Sequence, residues 1–217
     1  MLVHVFFVCY TFFMKSFYQS PYEGGSLTRR AFLFREMRIT AKLLSTGMKD
    51  KDAYEYLRKE NLFQYPTERS IGSMATTCIK RLRSLDSAEM IDIVGNQSID
   101  TAKQVCLYAM MKQSKLAWDF MVSVIGEKYR IQDLTFSKKD LNNFFAKLQE
   151  QDDLVASWSE SSIEKNKSVL KKTLVDVNYL DSLNSTILNN IILDTRLECV
   201  IKMNRDEAAL IAFNCFA

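Results

Sequence analysis

The sequence predicts an all-α protein, a multi-helix globular bundle with helix-turn-helix elements. Three observations lead there. Only two prolines and six glycines interrupt 217 residues. Apolar residues recur at helical spacing through most of the chain. Start and stop signals punctuate it at helix-sized intervals.

Taken in order, "SPYEGGSL" (20–27) reads as an entry loop. A first helix is expected from Thr28 to Thr46, with Gly47 at the C′ position that wants a left-handed residue. It is apolar on two sides: Phe34, Met37, Ala41 and Leu44 form one stripe, and Phe32, Ile39 and Leu43 lie apart. Such a helix sits inside a bundle. A short helix follows at 51–60, capped by Asp50. "NLFQYP" turns the chain, and a helix over 67–85 starts at the N-cap Thr67. Further helices are expected at 88–94, ended by Gly95; at 101–113, capped by Ser98 or Asp100; at 115–130; at 138–149, capped by Ser137; and at 161–177, with Asn178 as a left-handed stop. "SLNSTILNNIIL" alternates weakly and reads as extended. Helical segments at 194–203 and 205–214 complete the chain. The polar, acidic stretch 150–161 is the best boundary. It divides an N-terminal bundle (27–150) from a smaller C-terminal unit (151–217), with 1–26 as extension and entry loop.

Composition narrows the function. Hydrophobic content of 47% and charged content of 25% suit a globular core. A net charge of +3 rules out a polybasic chain, so any nucleic-acid site must be a local patch. The five cysteines (Cys9, Cys78, Cys106, Cys199, Cys215) show no C-x-x-C pair, and His4 is the single histidine. No metal or cofactor is expected. The apolar start "MLVHVFFVCYTFF" lacks the flanks of a signal peptide and is too short to span a bilayer. The expectation is a cytoplasmic protein, no membrane contact, and translation from Met14, with 1–13 a gene-prediction artefact. No phosphate-binding loop, dinucleotide fingerprint or nucleophile elbow is present, so no enzyme is expected.

The helix over 67–85 carries the sharpest signal. Ile71, Met74, Ala75, Cys78, Leu82 and Leu85 form its buried stripe. The opposite side presents Arg69, Ser73, Thr76, Lys80 and Arg83, cations and hydroxyls with no carboxylate. With the preceding helix and turn this is a helix-turn-helix-like arrangement. Short hydroxyls and cations suit phosphate and base edges. An ordinary solvated face is the competing reading. The helix at 161–177 repeats the mixture with Lys165, Ser168 and Lys172, although Glu164 lies near. Arg81 stands at the margin of the apolar stripe and is expected to pair internally. Trp118, Phe120, Phe144, Phe145 and Trp158 are expected in the core, and Glu36 as a buried, paired acid.

Four stretches, "LTRRAFLFREMRITAKLLSTG", "KENLFQYPTERSIGSMATTCIKRLRSL", "LAWDFMVSVIGEKY" and "VASWSESSIEKNKSVLKKTLVDVNYL", occur in an order and spacing that resembles the BrxA family of bacterial BREX phage-exclusion systems, over about Phe17 to Met203. The resemblance implies an all-helical fold, NusB-like in part, and a non-catalytic accessory component of phage defence that binds double-stranded DNA. It would work beside methyltransferase, ATPase and phosphatase components. Glu36 and Arg38, Asn61 and Leu62, Arg81 and Leu82, and Trp158, Ser161 and Lys165 match the family pattern; Met37, Asn178 and residues 1–13 depart from it. Two alternatives accompany this reading: a scaffold assembling other BREX proteins, and a NusB-like RNA binder.

Overall fold

The computed structural model describes residue 22 and residues 26–216. The expectations for residues 1–13 and for His4 and Cys9 fall outside them. The element order is α1 (Ser26–Arg29), α2 (Phe34–Ser45), α3 (Asp50–Lys59), α4 (Glu68–Arg83), α5 (Ala88–Asn96), α6 (Ile99–Gln113) and α7 (Lys115–Phe120). A π-helical turn (Met121–Gly126) continues α7 into α8 (Glu127–Arg130). Then come α9 (Lys138–Gln151), α10 (Asp153–Ala156), α11 (Glu160–Asp176), α12 (Thr195–Met203) and a 3-10 helix (Glu207–Phe213). The described residues contain no strand, only an isolated antiparallel bridge between Thr135 and Ile187. No helix among them is long and apolar enough to cross a membrane.

Most starts follow from caps. The side chains of Thr67, Ser87, Ser98, Ser114, Ser159 and Asp194 each accept a first-turn amide, and Ser137 and Asp140 form a capping box. Gly47 (φ 85) and Asn178 (φ 63) take the left-handed stops expected of them. Asp50 is not a cap; Lys49 holds that position and Asp50 opens the helix. Gly95 does not end α5. It lies inside the helix, where a Cβ would come within 3.1 Å of the Lys42 backbone nitrogen. A side chain there would push α5 off α2.

α6 is buried on all sides from Val105 to Met111. It packs against α2, α4, α5 and α7, a central position its weak amphipathicity fits. α2 is two-sided as expected. Met37, Ala41 and Leu44 enter the main core, while Ile39 and Leu43 pack on a smaller cluster of Leu57, Phe63, Ile71 and Ala75; Phe32, expected on that second side, precedes the helix and joins the main core instead. Trp118, Phe120, Phe144 and Phe145 are buried, and Trp158 packs against the core. The main core continues across 150–161: Val155, Ile163, Leu170 and Leu174 share it with Leu82 and Leu107.

The expected helix 28–46 is broken. After α1 the chain leaves helical geometry, and Leu33 takes a left-handed conformation (φ 54). Arg81 is the physical reason. Its guanidinium, 4% exposed, donates to the carbonyls of Arg30, Ala31 and Phe32. Those acceptors would have been shared with a continuous helix. Arg81 therefore pairs internally, as its marginal position suggested. Burial lowers its pKa to about 10, which leaves it charged at neutral pH.

Candidate nucleic-acid interface

The sequence of α3 and α4 fixes their mutual direction. Asp50, at the start of α3, accepts from Arg83 at the end of α4, with Nε at 2.8 Å and Nη2 at 2.6 Å. Arg58, near the end of α3, reaches Glu68 at the start of α4 at 3.2 Å. Ion pairs at both ends describe an antiparallel αα-hairpin. Between them Gly72 lets the α3 side chain of Tyr54 approach, since a Cβ at Gly72 would lie 2.8 Å from the Tyr54 hydroxyl oxygen. The turn is held by Asn61 (φ 43), whose amide brackets the backbone N–H and C=O of Tyr65.

The absence of carboxylates on the outer α4 face is a property of that helix alone. In space, α3 supplies Asp50 to Arg83, and Glu68 and Glu55 flank Arg58. Arg69, Thr76 and Lys80 are exposed, and Ser73 is half-buried. Arg69, Ser73 and Thr76 line a shallow cleft of about 500 Å³ with Tyr54, Arg58, Glu68 and Gly72. Lys80 and Arg83 continue the row beyond it. The hydroxyls are less available than the sequence suggests. Thr76 Oγ1 donates at 2.9 Å to the carbonyl of Gly72, and Ser168 Oγ donates at 2.9 Å to that of Glu164. Each remains an acceptor, with its proton held by its own helix.

On α11, Lys165, Ser168 and Lys172 are exposed. Lys167 turns the other way, donating to Glu164 at 2.7 Å and to Asn142 of α9 at 2.9 Å. Neither Arg69, Lys80, Lys165 nor Lys172 forms an ion pair with a described residue, whereas Arg83 does.

A second cleft, about 570 Å³, lies between α2, the turn before α4, α6 and α11. Arg35, Glu36, Tyr65, Lys103, Lys172 and Asp176 line it, over an apolar floor from residues 31–34. Glu36 is buried and accepts from the Tyr65 hydroxyl at 2.9 Å; burial, reinforced by that bond, pushes the phenol up to about 12. Arg35 donates to the Phe63 carbonyl and the Gln64 side chain, both at 2.9 Å. Burial raises the Asp176 carboxyl, and Lys172 and Lys103 pull it back. Lys172 of the α11 face lines this cleft, and none of Arg69, Ser73, Thr76, Lys80 and Arg83 does. The sequence reading missed Lys103 and Arg35. The only sign of Lys103 was a single cation in the first turns of α6.

Among known proteins, the sequence profile of the BrxA family matches residues 20–205. "BREX protein BrxA" of Bacillus cereus (strain H3081.97) is 33% identical over 156 residues, 72% of this chain and 78% of its own. "BREX protein BrxA" of Escherichia coli O9:H4 (strain HS) is 26% identical over 158 residues, 73% and 74% of the two chains. The crystal structure of an uncharacterized protein from Magnetospirillum magneticum superposes with a TM-score of 0.74 at 20% identity, covering 89% of this chain and 98% of that one, a likeness of fold. With the profile spanning most of its length and a relative one-third identical over nearly three-quarters of it, this chain belongs to the BrxA family.

Proposed function

We propose that this chain is a non-catalytic, cytoplasmic component of a BREX phage-exclusion system that binds double-stranded DNA. The outer face of α4 (Arg69, Ser73, Thr76, Lys80, Arg83) and the exposed side of α11 (Lys165, Ser168, Lys172) hold the backbone. Other BREX proteins are its partners in the same system. One observation supports the reading: Arg69, Lys80, Lys165 and Lys172 are exposed cations that form no ion pair with a described residue, so their charge is open to a polyanion. Contacts of this kind track phosphates rather than bases, so the binding is weakly sequence-dependent. The crossed helix pair of a helix-turn-helix is not required for it; the α3–α4 hairpin offers α4 side-on.

The test is a gel shift with duplex DNA, single-stranded DNA and RNA at two salt concentrations, on the wild type and on Lys80→Ala, Arg83→Ala and Lys165→Ala. Duplex DNA should bind best. Each variant should weaken binding on unrelated sequences and lower the slope of log affinity against log salt by about 1. Arg83→Ala should cost more than Lys80→Ala, because it also uncovers the Asp50 carboxylate. A Lys80 and Arg83 double variant that binds like the wild type with an unchanged slope would leave α4 a solvated face and put the scaffold reading first. Preference for RNA would favour the NusB-like alternative.

A further inference from the structure

The cleft between α2, α6 and α11 contains charged groups that the proposed faces do not account for. Three cationic side chains from three elements line it: Arg35 of α2, Lys103 of α6 and Lys172 of α11. Two carboxylates share the space, and they are not equivalent. Glu36 is 9% exposed and accepts from Tyr65. Asp176 is half-buried, forms no ion pair with a described residue, and is acted on by both lysines. Lys103 is tethered at 2.8 Å to the Asn178 side chain, and Asn178 is fixed in turn by Asp100 at 3.0 Å. Lys172 has no such tether. The floor is apolar and includes Phe34, stacked on Phe32 with centroids 6.0 Å apart. Leu33 places no side-chain oxygen over the first amides of α2.

We infer that this cleft is a phosphoryl-anion site, in which Lys103 and Lys172 converge on one phosphate at the edge of the α11 basic face. Arg35 adds charge from the rim while its guanidinium holds the turn before α4. Asp176 opposes the anion and limits affinity. The inference deepens the DNA-binding reading and rests on it when the phosphate belongs to a duplex. A mononucleotide or inorganic phosphate carries the same chemistry, and the test separates these sources.

Lys103→Ala, Lys172→Ala, the double variant and Asp176→Asn are compared with the wild type, with exposed Lys147→Ala on α9 as the control. Thermal melts of each exclude misfolding; Lys172→Ala, Asp176→Asn and Lys147→Ala should match the wild type, and the two variants that lack the Lys103 bond to Asn178 should melt only slightly lower. Duplex affinity is measured across a salt series, and inorganic phosphate binding by phosphorus NMR line width. One shared phosphate predicts that either lysine variant alone lowers the salt slope by well under about 1, because the other lysine still neutralises the phosphate, and that the double variant lowers it by about 1 rather than about 2. Asp176→Asn should tighten binding by about fivefold, since it removes an opposing charge a few ångströms from the anion. Additive slopes, with the double variant down by about 2, would mean two separate phosphates and overturn the site. Duplex binding that ignores all four variants would overturn the site while leaving the DNA reading intact. Phosphate line broadening abolished by the double variant, without any duplex binding by the wild type, would support the site with a free phosphate as its occupant and remove the DNA reading. No response to either probe would remove both.

Discussion

Arg81→Ala should destabilise the protein by about 3 kcal/mol and leave the proposed DNA-contacting faces unaltered. The structure sets the magnitude. The Phe32 carbonyl lies in a buried setting, and the carbonyls of Arg30 and Ala31 are partly buried. Losing a charged donor and leaving a buried acceptor unmade costs about 1–3 kcal/mol. Water can reach the other two, so each should add only about 0.5–1 kcal/mol. Burying the guanidinium was itself unfavourable, as its lowered pKa records, and this offsets part of the loss. For a domain of this length about 3 kcal/mol corresponds to a fall in Tm of about 6–12 °C. Urea denaturation followed by circular dichroism gives the energy, and a salt series of duplex binding at a temperature well below the melt gives the slope. Arg81→Lys, with one point donor in place of a fork, should fall between. A loss under about 1 kcal/mol would refute the view that Arg81 holds the α1–α2 junction. So would a changed salt slope in a fully folded variant.

Three further outcomes follow from the packing. Asp206, 3% exposed, accepts from Tyr108 and from Lys112, so Asp206→Ala leaves a half-buried ammonium and a buried hydroxyl without their acceptor and should cost about 2–3 kcal/mol in urea denaturation. Gly126→Ala should cost about 1–3 kcal/mol, because the new Cβ would stand 2.6 Å from Ile211 Cγ1; Ile211→Ala in the same chain should recover part of it, and a double-mutant cycle reads the coupling. The Asp194 carboxyl is held below the usual aspartate range, first by the Arg196 side chain and also by backbone amides. A depressed folded pKa means stabilisation that is fully present above the ordinary aspartate value and is lost as pH falls through the folded one. Asp194→Asn should therefore flatten the decline of stability below about pH 4 while costing only a few tenths of a kcal/mol near pH 7, because Asn also caps well. Denaturation midpoints across pH measure both.

The helices were legible where local rules decide. Thr67 and Ser137 are caps, Gly47 and Asn178 are left-handed stops, and the stripe from Ile71 to Leu85 is buried except at the half-buried Met74, each from residues within one turn of the feature. What escaped the sequence is set by partners far along the chain. The break after Arg29 depends on a guanidinium about fifty residues later. Gly95 looked like a terminator because its packing against α2 leaves no local trace. The face of α4 was read correctly as carboxylate-free, but its neighbour α3 brings Asp50 to it, and helical periodicity says nothing about neighbours. The second cleft escaped for the same reason: Arg35, Lys103 and Lys172 share no spacing that a pattern could register.

The tie between Tyr108 and Asp206 bears on the order in which the chain is made. The two residues lie 98 apart in sequence, so at ordinary rates of translation about 5–20 s separate their synthesis. For that interval α6, which ends up enclosed on all sides, lacks the segments that cover it. Asn204, which donates to both Leu85 and Tyr108, arrives equally late. The first helices can form as they emerge, but the interior is sealed from the C-terminal end, and the nascent bundle must keep its apolar axis from other chains until then.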